Sequence, residues 1–240
     1  MYDFLIVGCG LSGCVIAERL ANVLNKRSLI IDKRDHIGGN CYDYVDSDTN
    51  ILMNKYGAHL FHTKDKDVWN YVNKFDEWDR WEHKVLSYVK DKFVSMPVNI
   101  TTINELLNES LENEDDVNEW LSKNQEKYDI IKNSEEMACS RIGRKLFNLL
   151  VKDYTIKQWN KEPKDLKPEV LARIPIRNNF DTRYFNDKYQ ALPKYGYTHF
   201  FNKLINNPLI DVKLNVDFFD FRNNYSIKEL MNKNYMIIYT

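Results

Sequence analysis

Long apolar runs are missing from this 240-residue chain: no stretch approaches the ~18 residues that a membrane-spanning helix requires. Neither sign of charge dominates. Lys and Arg number 34 against 35 Asp and Glu, a formal net charge of −1, so the chain as a whole has no attraction for nucleic acid or an anionic membrane surface. Cysteine is scarce. Cys9, Cys14, Cys41 and Cys139 follow neither a metal-ligand spacing nor a disulfide framework, and they read as small buried residues of a reduced compartment. The N-terminus has no signal-peptide pattern, so a cytoplasmic location follows by default. HExxH, Walker A and GxSxG motifs are absent, and the histidines are scattered apart from His59 and His62. Their absence excludes the metal-hydrolase, P-loop and serine-hydrolase chemistry those motifs serve, and no metal site is expected.

Glycine is also sparse, but five of the eight residues stand in two short loops. The apolar strand Asp3-Phe4-Leu5-Ile6-Val7 runs into Gly8-Cys9-Gly10-Leu11-Ser12-Gly13 and then into a helix. Ile16, Leu20, Val23 and Leu24 recur at helical spacing and are expected to form its buried face. A strand, a GxGxxG turn and a helix aim the helix N-terminus at a pyrophosphate. The first glycine permits the tight turn, the second lets the phosphate approach the backbone, and the third lets helix and strand pack closely. A plain glycine-rich turn is the alternative. The second apolar strand, Ser28-Leu29-Ile30-Ile31, argues for the dinucleotide site: it ends in Asp32, placed where a carboxylate can bind ribose hydroxyls.

Lys33-Arg34-Asp35-His36-Ile37-Gly38-Gly39-Asn40 follows that acid at once. The paired glycines predict a second close backbone approach, and Asn40 adds a neutral hydrogen-bonding side chain. A simple NAD fold has no need of this loop. It resembles the second signature of FAD-binding proteins of the amine-oxidase and mutase type. The candidate cofactor residues of the two loops are therefore Gly8, Gly10, Leu11, Ser12, Gly13, Asp32, Lys33, Gly38, Gly39 and Asn40.

Further along, a helix is predicted from Asp65, with Val68, Trp69 and Val72 on its buried face. Val85 to Met96 alternates about a Lys90-Asp91 turn and reads as a β-hairpin ended by Pro97. Thr101 is placed to cap a helix through Leu107. Residues 112–147 have a helical pattern, and their acids Glu112, Glu114, Asp115, Asp116 and Glu119 read as a solvated helix start. Gly143 should break one helix and begin another through Lys152. Pro175 makes Arg173 to Arg177 extended. Val212 to Val216 and Tyr235 to Tyr239 read as strands. The chain stops at Thr240, directly after a buried-type strand, which reads as truncation or a split gene.

The expected fold is α/β: a Rossmann-like FAD-binding domain with a helical insert and antiparallel sheet elements. The dinucleotide domain is expected to be discontinuous, from residues 1–100 and 200–240. Residues 101–152 would form the helical insert, and 153–199 a substrate-side sheet and mobile loop.

Lys152-Asp153-Tyr154-Thr155-Ile156-Lys157-Gln158-Trp159 is followed by Arg173-Ile174-Pro175-Ile176-Arg177, Phe180-Asp181 and Tyr184-Phe185-Asn186-Asp187-Lys188-Tyr189-Gln190. With Tyr56-Gly57-Ala58-His59-Leu60-Phe61-His62-Thr63 and the two glycine loops, this series resembles the UDP-galactopyranose mutase family over essentially the whole chain, as its N-terminal two-thirds. The resemblance implies an isomerase that interconverts UDP-galactopyranose and UDP-galactofuranose with reduced FAD and no net redox change. Flavin N5 would act as nucleophile toward the anomeric carbon. It implies that Tyr154 packs against uracil with Thr155 beside it, and that Trp159 lines the pocket near the sugar. Arg173 would reach the diphosphate, a role suited to a guanidinium that is always charged and donates two hydrogen bonds at once. Tyr184 would donate to phosphate, and the His59-Leu60 backbone and His62 would lie against the flavin. His83, at the hairpin edge, is a further substrate-side candidate. Arg173 and His62 are the candidates for the catalytic centre. The implied partners are UDP-galactose in both ring forms and a second copy of the chain, with no nucleic acid and no membrane.

Taken without that resemblance, Tyr154 and Trp159 also read as core aromatics, Arg173 as a surface ion-pair partner and His62 as a structural histidine. The chain departs from the family's pattern in carrying Asp32 where many members have Glu, and Leu150 and Val151 where many have two phenylalanines. An amine-oxidase-type flavin oxidoreductase and an inactive nucleotide-sugar-binding remnant are the alternative functions.

Overall fold

The computed structural model describes every residue except Ile174, Tyr225 and Ser226, and the backbone alone of Asn224, Ile227 and Lys228. The chain forms two compact units. The first comprises Met1–Trp81 and Asp187–Thr240, the second Glu82–Asn186. The hairpin region and residues 153–186 thus fall in the second unit, away from the boundaries expected at 100 and 152.

The first unit opens with β1 (Tyr2–Val7), α1 (Leu11–Leu24) and β2 (Ser28–Ile31). It continues through β3 (Asp43–Val45), β4 (Leu52–Asn54), β5 (Phe61–Thr63), α2 (Lys66–Val72) and β6 (Trp78–Arg80). The second unit holds β7 (Val85–Val89), β8 (Lys92–Met96), α3 (Ile100–Leu107), α4 (Glu114–Asn124), α5 (Ser134–Leu146), α6 (Lys152–Trp159) and α7 (Glu169–Ala172). The chain then re-enters the first unit with β9 (Tyr189–Pro193), α8 (Tyr197–Leu204), β10 (Ile210–Lys213), α9 (Phe218–Asn224), α10 (Ile227–Leu230) and β11 (Met231–Tyr239).

The principal sheet of the first unit has the order β10-β2-β1-β11, parallel throughout. Its central strands are covered on both faces: Leu5, Ile6, Leu29, Ile30 and Ile31 are wholly buried. Such burial explains why β2 reads as an unbroken apolar run instead of an alternating one. The discontinuous α/β fold is therefore present, with both late strands flanking the early pair.

Helix α1 buries only part of the face its large apolar residues suggest: Leu20 is buried and Ile16 half-buried against the core. Gly13, Cys14, Ala17, Leu20 and Ala21 point inward, whereas Val23 and Leu24 are 63% and 58% exposed. The cause is the distance between helix and strand. A Cβ on Gly13 would stand 2.0 Å from the Gly8 carbonyl oxygen, so only a stripe of small side chains fits there. In α2, Val72 is buried and Trp69 half-buried, but Val68 is 43% exposed.

In the second unit β7 and β8 pair across Lys90 and Asp91, whose φ values of 49° and 59° give the turn a twist that suits a two-residue hairpin. Asn99 caps α3, not Thr101: its side chain accepts the Thr102 N–H at 3.0 Å, and Thr101 lies within the helix. The helical region expected over 112–147 is divided into α4 and α5, each capped by an asparagine, Asn113 and Asn133. Gly143 interrupts α5 with φ 78°, and the helix resumed after it continues through a π-turn at Phe147–Val151 into α6, ending at Trp159 instead of Lys152. Ile100, Ile103, Leu146 and Phe147 form the centre of this unit's core. Of the stretch expected to be extended, Arg173 is instead helical, closing α7 with φ −70° and ψ −18°, and Ile174 lies outside the described residues. Strand β10 ends at Lys213, short of Val216, and β11 begins at Met231, before Tyr235.

Candidate functional site

A cleft of about 510 Å³ opens in the first unit where β1 and β2 end and α1 begins. Gly8, Gly10, Leu11 and Ser12 line one side; Asp32, Lys33, Gly39 and Asn40 line another. Gly10 precedes α1 with no side-chain cap and no acid in the first turn, so the first N–H groups of a 14-residue helix face the cleft without a competing anion. A Cβ at Gly10 would meet only the Gly39 Cα, at 3.9 Å, and would otherwise project into the cleft. The shape is that of a backbone cradle, and it fits a pyrophosphate.

Asp32 organises this cradle. Its Oδ2 accepts the Cys9 N–H at 2.7 Å and its Oδ1 accepts the Arg34 N–H at 2.9 Å, tying both glycine loops to the end of β2. An ionised carboxylate offers about four lone-pair sites. The two backbone bonds therefore leave capacity for ribose hydroxyls.

Two of the expected cofactor residues build the cleft without lining it. Gly13 lies beneath the Gly8 carbonyl. Gly38 is buried, donates its N–H to the Cys9 carbonyl at 2.8 Å, and has the Phe201 ring where a Cβ would stand. The second close approach predicted from the paired glycines is thus between protein backbones: a Cβ on Gly39 would lie 3.0 Å from the Gly10 Cα. His59 and Leu60 are absent from the cleft lining, and His59 Nδ1 bonds the nearby Gly57 carbonyl at 3.0 Å. His62, on β5, sets Nδ1 against Asp187 Oδ2 at 2.5 Å. The cleft also gains lining that was not anticipated, from Phe218, Phe219, Tyr239 and Arg34. Phe219 and Tyr239 are more than 60% exposed. Nothing local marks them; β10 and β11 bring them beside β1 and β2 only in the folded sheet.

A second cleft, of about 570 Å³, lies within the second unit. Tyr154 and Tyr184 both line it, together with Leu150 and Val151. Tyr154 is 61% exposed, so its ring face is available for stacking. Thr155 turns the other way: it is buried, and its Oγ1 donates to the Val151 carbonyl at 2.6 Å. Trp159 and Arg173 are exposed but lie outside this lining. His83 supports Tyr184, whose N–H donates to the His83 carbonyl at 2.7 Å, with the two rings edge to face at 5.9 Å. Strand β7 supplies the wall that sequence reasoning missed, including Leu86 and Tyr88, and Asp153 adds a carboxylate.

The charged residues that follow are largely committed to one another. Hydrogen bonds from Arg183 hold the Asp181 carboxyl down at about 2, against a partial burial that works to raise it, and the charge of Arg177 lowers it further. Arg177 donates to the Arg183 carbonyl and pairs with Asp181 at 3.2 Å. These residues shape the loop before Tyr184 and are not spare phosphate ligands. Cys9 and Cys14 lie 3.8 Å apart, and their mutual hydrogen bond and burial push the Cys14 thiol up. Among the described residues no group of His, Cys, Asp and Glu could hold a metal ion, and no helix is long and apolar enough to cross a membrane.

Comparison with known proteins finds two family matches, and the first spans residues of both units. Residues 149–240 match the UDP-galactopyranose mutase family, and residues 6–75 match the NAD(P)-binding Rossmann-like domain. A probable UDP-galactopyranose mutase of Klebsiella pneumoniae is 38% identical over 217 residues, covering 90% of this chain and 56% of that protein. A dTDP-fucopyranose mutase of Escherichia coli is 39% identical over 214 residues, covering 89% and 56%. The crystal structure of a reduced UDP-galactopyranose mutase superposes with a TM-score of 0.67 at 17% identity, over 89% of this chain and 48% of that one, and shares its fold. The chain thus spans a little over half the length of the curated relatives it matches. Over about nine-tenths of its own length, it is a homologue of the UDP-galactopyranose mutases.

Proposed function

We propose that this chain carries the cofactor-binding and base-binding parts of a UDP-galactopyranose mutase, an isomerase acting on UDP-galactose. The identity of 38% over 217 residues to a mutase carries the reading. The first cleft supports FAD as its cofactor. The N–H groups at Gly10, Leu11 and Ser12 bind the pyrophosphate, and Asp32 accepts from ribose hydroxyls. Reduced FAD, when bound, supplies a nucleophilic nitrogen for the anomeric carbon.

The chain's own residues bind and orient. Tyr154 stacks on the pyrimidine base in the second cleft, and the Tyr184 hydroxyl donates to a diphosphate oxygen. The exposed Arg173 guanidinium neutralises the diphosphate as its charge grows on leaving, which lowers the barrier to departure. Asp187 holds the His62 ring in one orientation beside β9. Free cysteines support a cytoplasmic location.

The test is turnover of UDP-galactofuranose by the purified chain with added FAD, with and without dithionite, read by chromatography. Dithionite-dependent UDP-galactopyranose is the expected product. A chain that retains no FAD and binds no UDP would overturn the reading. The identity of 39% to a dTDP-fucopyranose mutase favours one second reading, the same ring isomerisation on a deoxythymidine sugar. Faster turnover of dTDP-fucofuranose than of UDP-galactofuranose in the same assay would establish it.

A further inference from the structure

Arg34 is the cleft residue whose placement the glycine loops do not explain. Its backbone N–H is tied to Asp32, but its guanidinium is held from two other sides. Nη2 donates to Asn40 Oδ1 at 2.9 Å, and the Cζ stands 4.6 Å over the ring of Tyr56. Nη1 is sealed from solvent without a hydrogen-bond acceptor, which leaves the aromatic ring to offset its charge. The ring of Tyr56 is itself anchored. Its hydroxyl meets Nε2 of the buried His36 at 2.8 Å, and His36 Nδ1 bonds the Ile37 carbonyl at 3.0 Å. A carbonyl only accepts, so Nδ1 carries the proton, and in the neutral ring Nε2 accepts from the Tyr56 hydroxyl. Tyr42 stacks on the His36 ring with the centroids 3.9 Å apart.

We propose that Tyr56, oriented by His36, is a positioning residue that presets the Arg34 guanidinium on the cleft wall for the adenosine diphosphate half of the bound dinucleotide. A long flexible cation normally loses rotamer freedom when it engages a ligand. Here that freedom is already removed by the ring and by Asn40, so binding orders less of the site.

The inference rests on reading this cleft as an FAD site, and the experiment separates the two. FAD affinity is titrated for the full chain and for Arg34→Ala, Tyr56→Leu, Tyr56→Phe and the Arg34→Ala/Tyr56→Leu double variant, with ADP competition and apo thermal melts alongside. Tyr56→Leu should weaken FAD and ADP by about tenfold, and Tyr56→Phe, which keeps the ring, should recover most of that loss. In the Arg34→Ala background Tyr56→Leu should weaken binding by less than about twofold, since its effect is transmitted through Arg34. A Tyr56→Leu loss that adds in full to that of Arg34→Ala overturns the inference, as does a Phe variant no better than Leu or a Leu variant equal to wild type. In each of these cases FAD still binds the wild-type cleft. Failure of the wild type to bind FAD and ADP overturns the cofactor reading and this inference with it.

Discussion

Gly10 and Gly39 touch backbone to backbone: a methyl group on Gly39 would stand 3.0 Å from the Gly10 Cα. The contact presses the second glycine loop against the first at the mouth of α1. Gly39 also has φ 59°, which an L side chain rarely adopts. Gly39→Ala therefore meets both strain and a backbone neighbour that cannot rotate away. A loss of about 2 kcal/mol in unfolding free energy is expected from the dihedral and the overlap together. Flavin retention should fall with it, because relief requires the two loops to part. Denaturant unfolding and the flavin absorbance of the purified variant check the pair; a variant of wild-type stability that keeps its flavin would refute the packing argument.

Asp32 is expected to act twice, once on the protein and once on the ligand. Removing it strands the Cys9 and Arg34 N–H groups, at about 1 kcal/mol or more each in this partly buried setting. Asp32→Asn retains one acceptor oxygen and should lose roughly half the stability lost by Asp32→Ala. Both should weaken FAD at least about tenfold, since neither offers the ribose an ionised carboxylate. Equal stability of the two variants would show that only one of the backbone bonds matters.

The parts of this site that were legible from sequence are those whose chemistry is local. The Gly8–Gly13 turn, Asp32 and the Lys90-Asp91 hairpin each depend on residues within one short segment, and each forms as its residue types require. The face of α1 is legible only in part, at Leu20 and Ile16, because large apolar residues at helical spacing mislead where a helix lies against a strand too closely for them. The stripe Gly13, Ala17, Ala21 was the available sign. Thr155 was placed beside the base, but the turn of helix from Val151 points its hydroxyl back to a carbonyl. Phe218, Phe219 and Tyr239 could not be read at all. Their approach to the glycine loops depends on the strand order β10-β2-β1-β11, which is a property of the sheet and not of any segment.

Tyr154 and Thr155 are neighbours in sequence with opposite duties, and paired substitutions should separate them. Tyr154 is largely exposed on the second cleft. Tyr154→Ala should weaken UDP binding by about tenfold, the loss of one base–aromatic stack, with little change in melting temperature. Thr155→Val keeps the shape but deletes the hydroxyl bonded to the Val151 carbonyl, so it should lower stability by about 1 kcal/mol and leave UDP affinity nearly unchanged. Calorimetric titration with UDP and a thermal melt on each variant give the four values needed. A Tyr154→Ala variant that melts much lower than wild type but binds UDP normally would return Tyr154 to the core.

Glu18 ties the helix of the dinucleotide cleft to its neighbour and makes that tie sensitive to acid. It is 1% exposed on α1, yet it stays ionised. Burial works to raise its pKa, but hydrogen bonds from Arg19, Asn22 and Tyr71, the last two at 2.7 Å, outweigh that and bring it down to about 2. The unfolded chain has no such donors, so its carboxyl titrates near the ordinary value of 4.5. The folded pKa is the lower one, so the stabilisation is complete above about 4.5 and disappears as the pH falls through about 2, an amount on the order of 3 kcal/mol. Glu18→Gln removes the titration and keeps the size. The stability gap between wild type and Glu18→Gln should be constant from pH 6 down to about 5 and should close between about 4.5 and 2. Denaturant midpoints of both proteins across that range give the curve. A gap that does not change with pH would mean that the charge on Glu18 contributes nothing to the join that Tyr71 makes between α1 and α2.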